Sequence, residues 1–202
     1  MLKKSLVVAM FALVAACFAG TAAADIVCAD SSYCVVVFGT TKDRVTIAPN
    51  GAGETFAGTS ITFEVYLRNC AGAALAGVPA QEVVVFNSSL CICPGGNIAD
   101  AATDLNGKTT FSGTIRGGGC VESLQVFADG VGICTTTIKT NSPDHVPASP
   151  CAVDAGDLSA FAAKLGIPLQ YNICFDYNES GGPTIDAGDL SFFASLLGAA
   201  CQ

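Results

Sequence analysis

Alternating apolar and polar side chains dominate residues 34–139. In "ITFEVYLRN", residues 61–69, every second side chain from Ile61 to Leu67 is apolar, and those between are mostly polar. A period of two predicts an antiparallel strand with one buried face, which places Phe63 in a core.

Six further stretches have the same strand character, and Gly, Asn, Asp and Pro separate them. They are "YCVVVF", "RVTIAP", "EVVVFN", "KTTFSGTI", "ESLQVFA" and "ICTTTIKT". About seven short strands without a helical period predict an immunoglobulin-like β-sandwich over residues 25–139, with a β-barrel as the alternative.

Two stretches of this region carry a family resemblance. "NCAGAALAGVPAQEVVVF" and "TDLNGKTTFSGT" resemble bacterial immunoglobulin-like domains of the invasin/intimin type. In the second stretch Asn106-Gly107 suits a tight turn, after which Phe111 points into the core. The resemblance implies a spacer or adhesive stalk and brings no catalytic residues.

The pattern changes after residue 139. "TNSPDHVPASP", residues 140–150, contains three prolines and predicts a linker. "DAGDLSAFAAKLG" at 154–166 then recurs as "DAGDLSFFASLLG" at 186–198, with ten of thirteen positions identical. Each copy has apolar residues at helical spacing, and Gly166 and Gly198 stand where helices end. The predicted apolar stripes are Leu158, Phe161, Ala162 and Leu165 in the first copy, and Leu190, Phe193, Ala194 and Leu197 in the second.

Oxygen-bearing side chains precede the second helix at the spacing of a calcium loop. Asp176, Asn178 and Ser180 alternate along the chain, and Asp186 and Asp189 follow at the helix start. Ca²⁺ takes six to eight oxygen ligands at about 2.3–2.6 Å. The alternative is a plain helix in each copy with one Asp near its N-terminus that accepts backbone N–H bonds, which accounts for one Asp per copy without a metal.

Two such loop-helix units in tandem resemble a type I dockerin over residues 142–202. The second copy matches, although Gly182-Pro183 look inserted and the closing residue is Asp rather than Glu. The first copy aligns Asp144, Asp154 and Asp157, but Val146 and Ala148 stand where ligand oxygens belong. Its calcium site is therefore doubtful. The expected fold is mainly β with a small α module: the sandwich plus a dockerin-like pair of calcium-loop-helix repeats over 151–202, whose first loop begins at 144.

The dockerin resemblance also implies a partner, a cohesin-type protein module. In that family the residues just before the closing Asp and the following helix face the cohesin. The matching positions here are Ala155, Gly156, Ser159, Ala187, Gly188 and Ser191. The alternative is that Ala-Gly merely fits a tight loop.

The N-terminus predicts export. Lys3 and Lys4, an apolar run and "TAAAD" form a signal peptide over residues 1–24 that is too short for a confident membrane span. The alternative is a lipoprotein cleavage box, "VAAC", which would attach a lipid anchor at Cys17. Removal of two Lys changes 9 basic and 17 acidic residues to 7 and 17, a net charge near −10 that disfavours nucleic acid and anionic lipid as partners.

Ten cysteines remain beyond Cys17, which predicts disulfides rather than metal thiolates. Seven lie before the linker and three after it, so full oxidation within one chain requires an odd number of bridges between the two parts. The sequence does not choose the pairs, except that Cys134 should lie opposite Leu124 or Gln125 and not bond to Cys120. The alternatives are a free thiol in each part or a bridge to another chain.

No enzyme signature is present. The chain has no Trp and a single His, His145, which we expect to be solvated in the linker, and neither GxSxG nor HExxH occurs. We therefore expect a secreted or cell-surface, non-catalytic binding protein that binds structural Ca²⁺. The alternative is a structural stalk, adhesin or filament subunit in which the C-terminal module is only a stabilising cap.

Overall fold

The computed structural model describes residues 26–145, 151–179 and 184–202. The predicted signal peptide, Cys17 and Ser180 lie outside these residues, and so do Val146 and Ala148. What was expected of them stays a prediction.

Within the described residues, ten strands form two three-stranded antiparallel sheets and two small ribbons. The sheets have the orders β1-β3-β6 and β4-β8-β9, and the ribbons pair β2 with β10 and β5 with β7. The strands are β1 (Tyr33–Phe38), β2 (Arg44–Thr46), β3 (Ile61–Tyr66), β4 (Val83–Phe86), β5 (Cys91–Ile92), β6 (Lys108–Phe111), β7 (Gly117–Gly118), β8 (Gln125–Ala128), β9 (Val131–Thr135) and β10 (Lys139–Asn141). The two main sheets are consistent with an immunoglobulin-like arrangement, and among the described strands no hydrogen-bonded pair joins one main sheet to the other, as the alternative barrel would require.

The core lies between the two main sheets, as the alternation predicts. Phe63 on β3 and Phe111 on β6 are both buried, are directly paired in register, and have ring centroids 5.0 Å apart. The disulfide Cys34–Cys134 joins β1 to β9, the edges of the two sheets.

The register of Cys134 differs from the prediction. Cys134 lies opposite Val126, because a bulge between Val126 and Phe127 inserts one extra residue into β9 after the Asp129-Gly130 turn. Its bond to Cys34 confirms that it does not pair with Cys120.

Part of the predicted linker is packed into the fold. β10 continues to Asn141 and pairs in parallel with β2. Ser142 and Asp144 beyond it are also buried. Residues 140–144 are buried and His145 is half-buried, so this part of the predicted linker is not an exposed connection. Residues 146–150 lie outside the described part. The predicted strand stretches "RVTIAP" and "ICTTTIKT" contain β2 and the start of β10. Their pairing joins residues almost a hundred positions apart, which no local pattern predicts.

The C-terminal residues 151–202, called the helical module below, contain α1 (Ala155–Ala162) and α2 (Ala187–Leu196). Short 3₁₀ turns lie at Ala80–Glu82 in the sandwich and at Pro168–Gln170 and Ile173–Phe175 between the helices. The two copies exchange equivalent hydrogen bonds. Gly166 N–H donates to the Ile185 carbonyl at 3.1 Å, and Gly198 N–H donates to the Val153 carbonyl at 2.9 Å. The repeats are therefore related by an approximate two-fold axis, and each completes the other.

The buried helical face differs from the predicted stripe. Phe161 and Phe193 stack across the pseudo-axis with centroids 5.2 Å apart, as expected for the core. Leu158 and Leu190 are each 37% exposed, and Leu197 is exposed while Leu196 is buried. Residues four apart share a helix face, and the buried Asp157 and Asp189 precede the phenylalanines by four, so the following leucines point outward.

Three disulfides hold the helical module on the sandwich: Cys91–Cys151, Cys93–Cys201 and Cys120–Cys174. The predicted odd number of crossing bridges is confirmed, and the fifth bridge, Cys28–Cys70, lies within the sandwich. Ala48 of the sandwich also belongs to the hydrophobic core of the module. The two parts are packed together.

Candidate functional site

Both helices begin with the same pair of acids. Asp154 and Asp186 cap α1 and α2, and the side chain of each accepts the backbone N–H groups of the residues two and three positions further along the chain. In return Asp157 and Asp189 each accept the N–H of their cap residue at 2.9 Å. These are reciprocal capping boxes.

The second carboxylate oxygen of Asp157, and that of Asp189, accepts a backbone N–H near the start of the preceding loop. Asp157 Oδ1 accepts the His145 N–H at 2.7 Å, and Asp189 Oδ1 accepts the Tyr177 N–H at the same distance. Asn178 N–H also donates to Asp189, at 3.2 Å. The capping alternative thus accounts for many hydrogen bonds of these acids without a cation.

The first acids of the loops, Asp144 and Asp176, are equivalent in sequence and both buried. Asp176 accepts a hydrogen bond from the Tyr171 hydroxyl at 3.0 Å and one from the Glu179 N–H at 2.7 Å. Burial first, and then the charges of Asp189 and Asp186, raise the pKa of Asp176. Asp144 Oδ2 has no hydrogen-bond partner, and burial together with the charge of Asp157 raises the pKa of Asp144 to about 7.

The carboxylates fit calcium in type and burial, but do not converge tightly. Within the described ranges, the one group of three acidic, His or Cys side chains with ligand atoms within 4.8 Å of one another is Cys93, Cys151 and Cys201, which are disulfide-bonded. In the second loop Asn178 Nδ2 lies 3.5 Å from Asp186 Oδ1. No Lys or Arg of the described part forms an ion pair with Asp176 or Asp189. Buried acids without a cationic partner carry a desolvation cost that a cation would offset.

The predicted partner-binding residues lie at equivalent positions of the two copies. All six are exposed, at the N-terminal turns of the two helices: Ala155, Gly156, Ser159, Ala187, Gly188 and Ser191. The outward leucines, Leu158 and Leu190, lie next to them in the chain. The helical periodicity of apolar residues predicts that these leucines are buried, and that prediction is wrong. We call the eight residues the repeat surface.

His145 is not a solvated linker residue. It lies in the aromatic core of the module, with its ring 3.8 Å from Phe175 and its Nε2 2.7 Å from the Tyr177 hydroxyl. Burial lowers the pKa of His145 to about 4, so the ring is neutral at pH 7. Aligning the two copies could have predicted this, because His145 is the counterpart of Tyr177.

The described helices include none that is long and apolar enough to cross a bilayer.

No protein-family model matches the chain, and no curated protein matches it in sequence. One solved structure that is similar, described as "Crystal structure of the Lin-41 filamin domain", shares 20% sequence identity, covers 57% of this chain and 96% of its own, and has a TM-score of 0.30. At that score the likeness adds nothing to the fold described above, which is mainly β with two α-helices and is consistent with an immunoglobulin-like arrangement.

Proposed function

We propose that the chain is a secreted or cell-surface, non-catalytic binding protein whose dockerin-like helical module docks to a cohesin-type partner. The repeat surface carries this proposal, because equivalent small and apolar residues of both copies are exposed while the loops behind them pack on the sandwich. Five disulfides support an oxidising compartment.

The proposal assigns structural Ca²⁺ to the second loop. Asp176 and Asp189 supply buried carboxylates, Asn178 and Asp186 supply further oxygens, and Ser180 completes the predicted set. These are hard oxygen ligands of the kind that Ca²⁺ takes. The supporting observation is the burial of Asp176, whose pKa is raised by desolvation and by the neighbouring charge of Asp189.

Partner binding is tested by a pull-down against a panel of cohesin modules, with calcium and with chelator. Ala155→Arg and Ala187→Arg place a long charged side chain on each half of the repeat surface, so the double variant should lose binding at least tenfold. Ala102→Arg, on the exposed surface of the sandwich, is the matched control. Equal binding by the double variant and the control would contradict the assigned surface.

Calcium binding is tested by thermal unfolding of the full chain. A cation that binds only the folded state stabilises it by about 2.7 kcal/mol at about 100-fold its Kd. Asp176→Asn and Asp189→Asn should abolish most of the rise in Tm, while Asp144→Asn and the exposed Asp30→Asn should keep it. Absence of calcium binding in calorimetry at millimolar concentration would show the loop assignment to be wrong.

A structural stalk, adhesin or filament subunit is the second candidate. Its supporting observation is the attachment of the helical module through three disulfides, which suits a stabilising cap. It predicts no retention by any cohesin, together with self-assembly that electron microscopy would detect.

A further inference from the structure

Two of the bridges that join the helical module to the sandwich lie side by side. Cys91–Cys151 and Cys93–Cys201 begin two residues apart in the sandwich, at β5 and the residue after it. The Sγ atoms of Cys93, Cys151 and Cys201 all lie within 4.8 Å of one another. Sulfurs of two different bridges are therefore neighbours.

Cys151 and Cys201 also face each other along the backbone. Val153 N–H donates to the Ala199 carbonyl at 2.9 Å, and Cys201 N–H donates to the Cys151 carbonyl at 3.2 Å. These bonds flank the antiparallel bridge between Ala152 and Ala200, so Cys151 lies directly opposite Cys201. Opposite residues at such a hydrogen-bonded position have Cα atoms about 5.5 Å apart, within the roughly 4.4–6.8 Å that a disulfide spans.

We propose that Cys91, Cys93, Cys151 and Cys201 form a redox-controlled clamp with two pairings. In the first pairing both ends of the helical module are bonded to the sandwich. In the second pairing Cys151 is bonded to Cys201, and Cys91 and Cys93 carry thiols. The module then closes on itself, and Cys120–Cys174 is the remaining bridge of the three that joined it to the sandwich.

The two pairings interconvert by a two-electron reduction with a dithiol, either a small molecule or a dithiol oxidoreductase. A reductant thiolate attacks Sγ of Cys91, which is partly exposed, and breaks the bond to the buried Cys151. The Cys151 thiolate attacks Sγ of Cys201, forms Cys151–Cys201 and expels the Cys93 thiolate.

The second thiol of the reductant then closes the mixed disulfide on Cys91 and releases that residue as a thiolate. The reductant becomes a disulfide, and its two protons reach Cys91 and Cys93 through water. Because thiol–disulfide exchange is reversible, the relative stabilities of Cys93–Cys201 and Cys151–Cys201 decide which bond persists. The proposal assigns the bond to Cys151–Cys201, the pair that the backbone holds opposite. The clamp does not depend on what the helical module binds.

The test is disulfide mapping of the folded, full-length protein after brief treatment with dithiothreitol and alkylation with iodoacetamide. Trypsin cleavage after Lys139 and Lys164 separates Cys151 from Cys201, and Cys91 and Cys93 share a third peptide. The expected species carries two alkyl groups on the peptide of Cys91 and Cys93, while the Cys151 and Cys201 peptides stay linked.

Alkylation of both partners of one bridge, with its neighbour intact, would overturn the clamp. So would resistance of both bridges until the protein unfolds. The double variant Cys91→Ser/Cys93→Ser should form Cys151–Cys201 during folding. Cys28→Ser/Cys70→Ser is the matched control and should keep all three bridges of the module. The wild-type map decides the question even if the first variant does not fold.

Discussion

Replacement of Gly118 by alanine should destabilise the protein at the contact between the sandwich and the first loop. A Cβ atom on Gly118 would lie 2.1 Å from Oδ2, 2.4 Å from Cγ and 2.6 Å from Cβ of Asp144. Gly118 is in strand β7 and has no positive φ, so its backbone tolerates alanine. The cost therefore comes from the contact.

The magnitude follows from overpacking. Asp144 is only 1% exposed, and its carbonyl accepts the Gly119 N–H at 2.8 Å, so it cannot move aside without losing packing. Overpacking typically costs about 1–3 kcal/mol. Gly113→Ala is the matched control, because nothing lies within 4 Å of its added Cβ. That variant should gain about 0.4–1 kcal/mol through the unfolded chain. Gly118→Ala shares this gain because its backbone also tolerates alanine, so the two variants should differ by the overpacking cost, about 1–3 kcal/mol.

Denaturant unfolding followed by circular dichroism, with the disulfides intact, measures this difference in a chain that has no Trp. Equal stability of the two variants would refute the contact between Asp144 and β7. The background variant Asp144→Gly removes all three opposing atoms, so Gly118→Ala should there lose most of its extra cost. Persistence of the full cost in that background would assign the effect to another neighbour.

Two further predictions concern the core and pH. Phe111→Ala should cost about 3–5 kcal/mol of unfolding free energy, while Leu105→Ala, at 90% exposed, should change it by less than about 0.5 kcal/mol in the same assay. In chelator, the raised pKa of Asp144 adds stability as pH falls through about 7 towards 4, by up to about 1.4 kcal/mol per pH unit. The lowered pKa of His145 acts oppositely, because the unfolded ring takes a proton near 6.5 and the folded one near 4. Relative to the parent protein, Asp144→Asn should therefore lack the gain between about pH 7 and 4, and His145→Gln should lack the opposing loss below about pH 6.5; no change in either pH profile would contradict both assignments.

The strands and helices were predictable because their signals are local. The alternation around Phe63 requires one buried face, and a period of two allows only one choice of face. One capping Asp at each helix start was predictable for the same reason, since Asp154 and Asp186 act within three residues.

What the sequence did not predict depends on distant partners. The pairing of β10 with β2 and the position of His145 in an aromatic core both arise where the helical module meets the sandwich. The outward position of Leu158 follows from the burial of its neighbour Asp157, an acid that a hydropathy pattern assigns to the surface. The odd number of cysteines in each part required a bridge between the two parts if all were oxidised within one chain. Which cysteines pair depends on their distances in the folded protein, which the sequence does not give.

The contact between the helical module and the sandwich also explains how two loops with different side chains can have the same backbone arrangement. The second loop has Asn178 and Ser180 where the first has Val146 and Ala148, so the oxygen donors of the two loops are not equivalent. The first loop instead contains Cys151, bonded to Cys91 of the sandwich, and its Asp144 rests on Gly118. These contacts attach both described ends of the first loop, Asp144 and Cys151, to the sandwich. The reciprocal bonds of Gly166 and Gly198 join the two copies to each other. Under the proposed calcium assignment, a chelator should therefore loosen the second loop while α1 keeps its position, a difference that amide hydrogen exchange can measure.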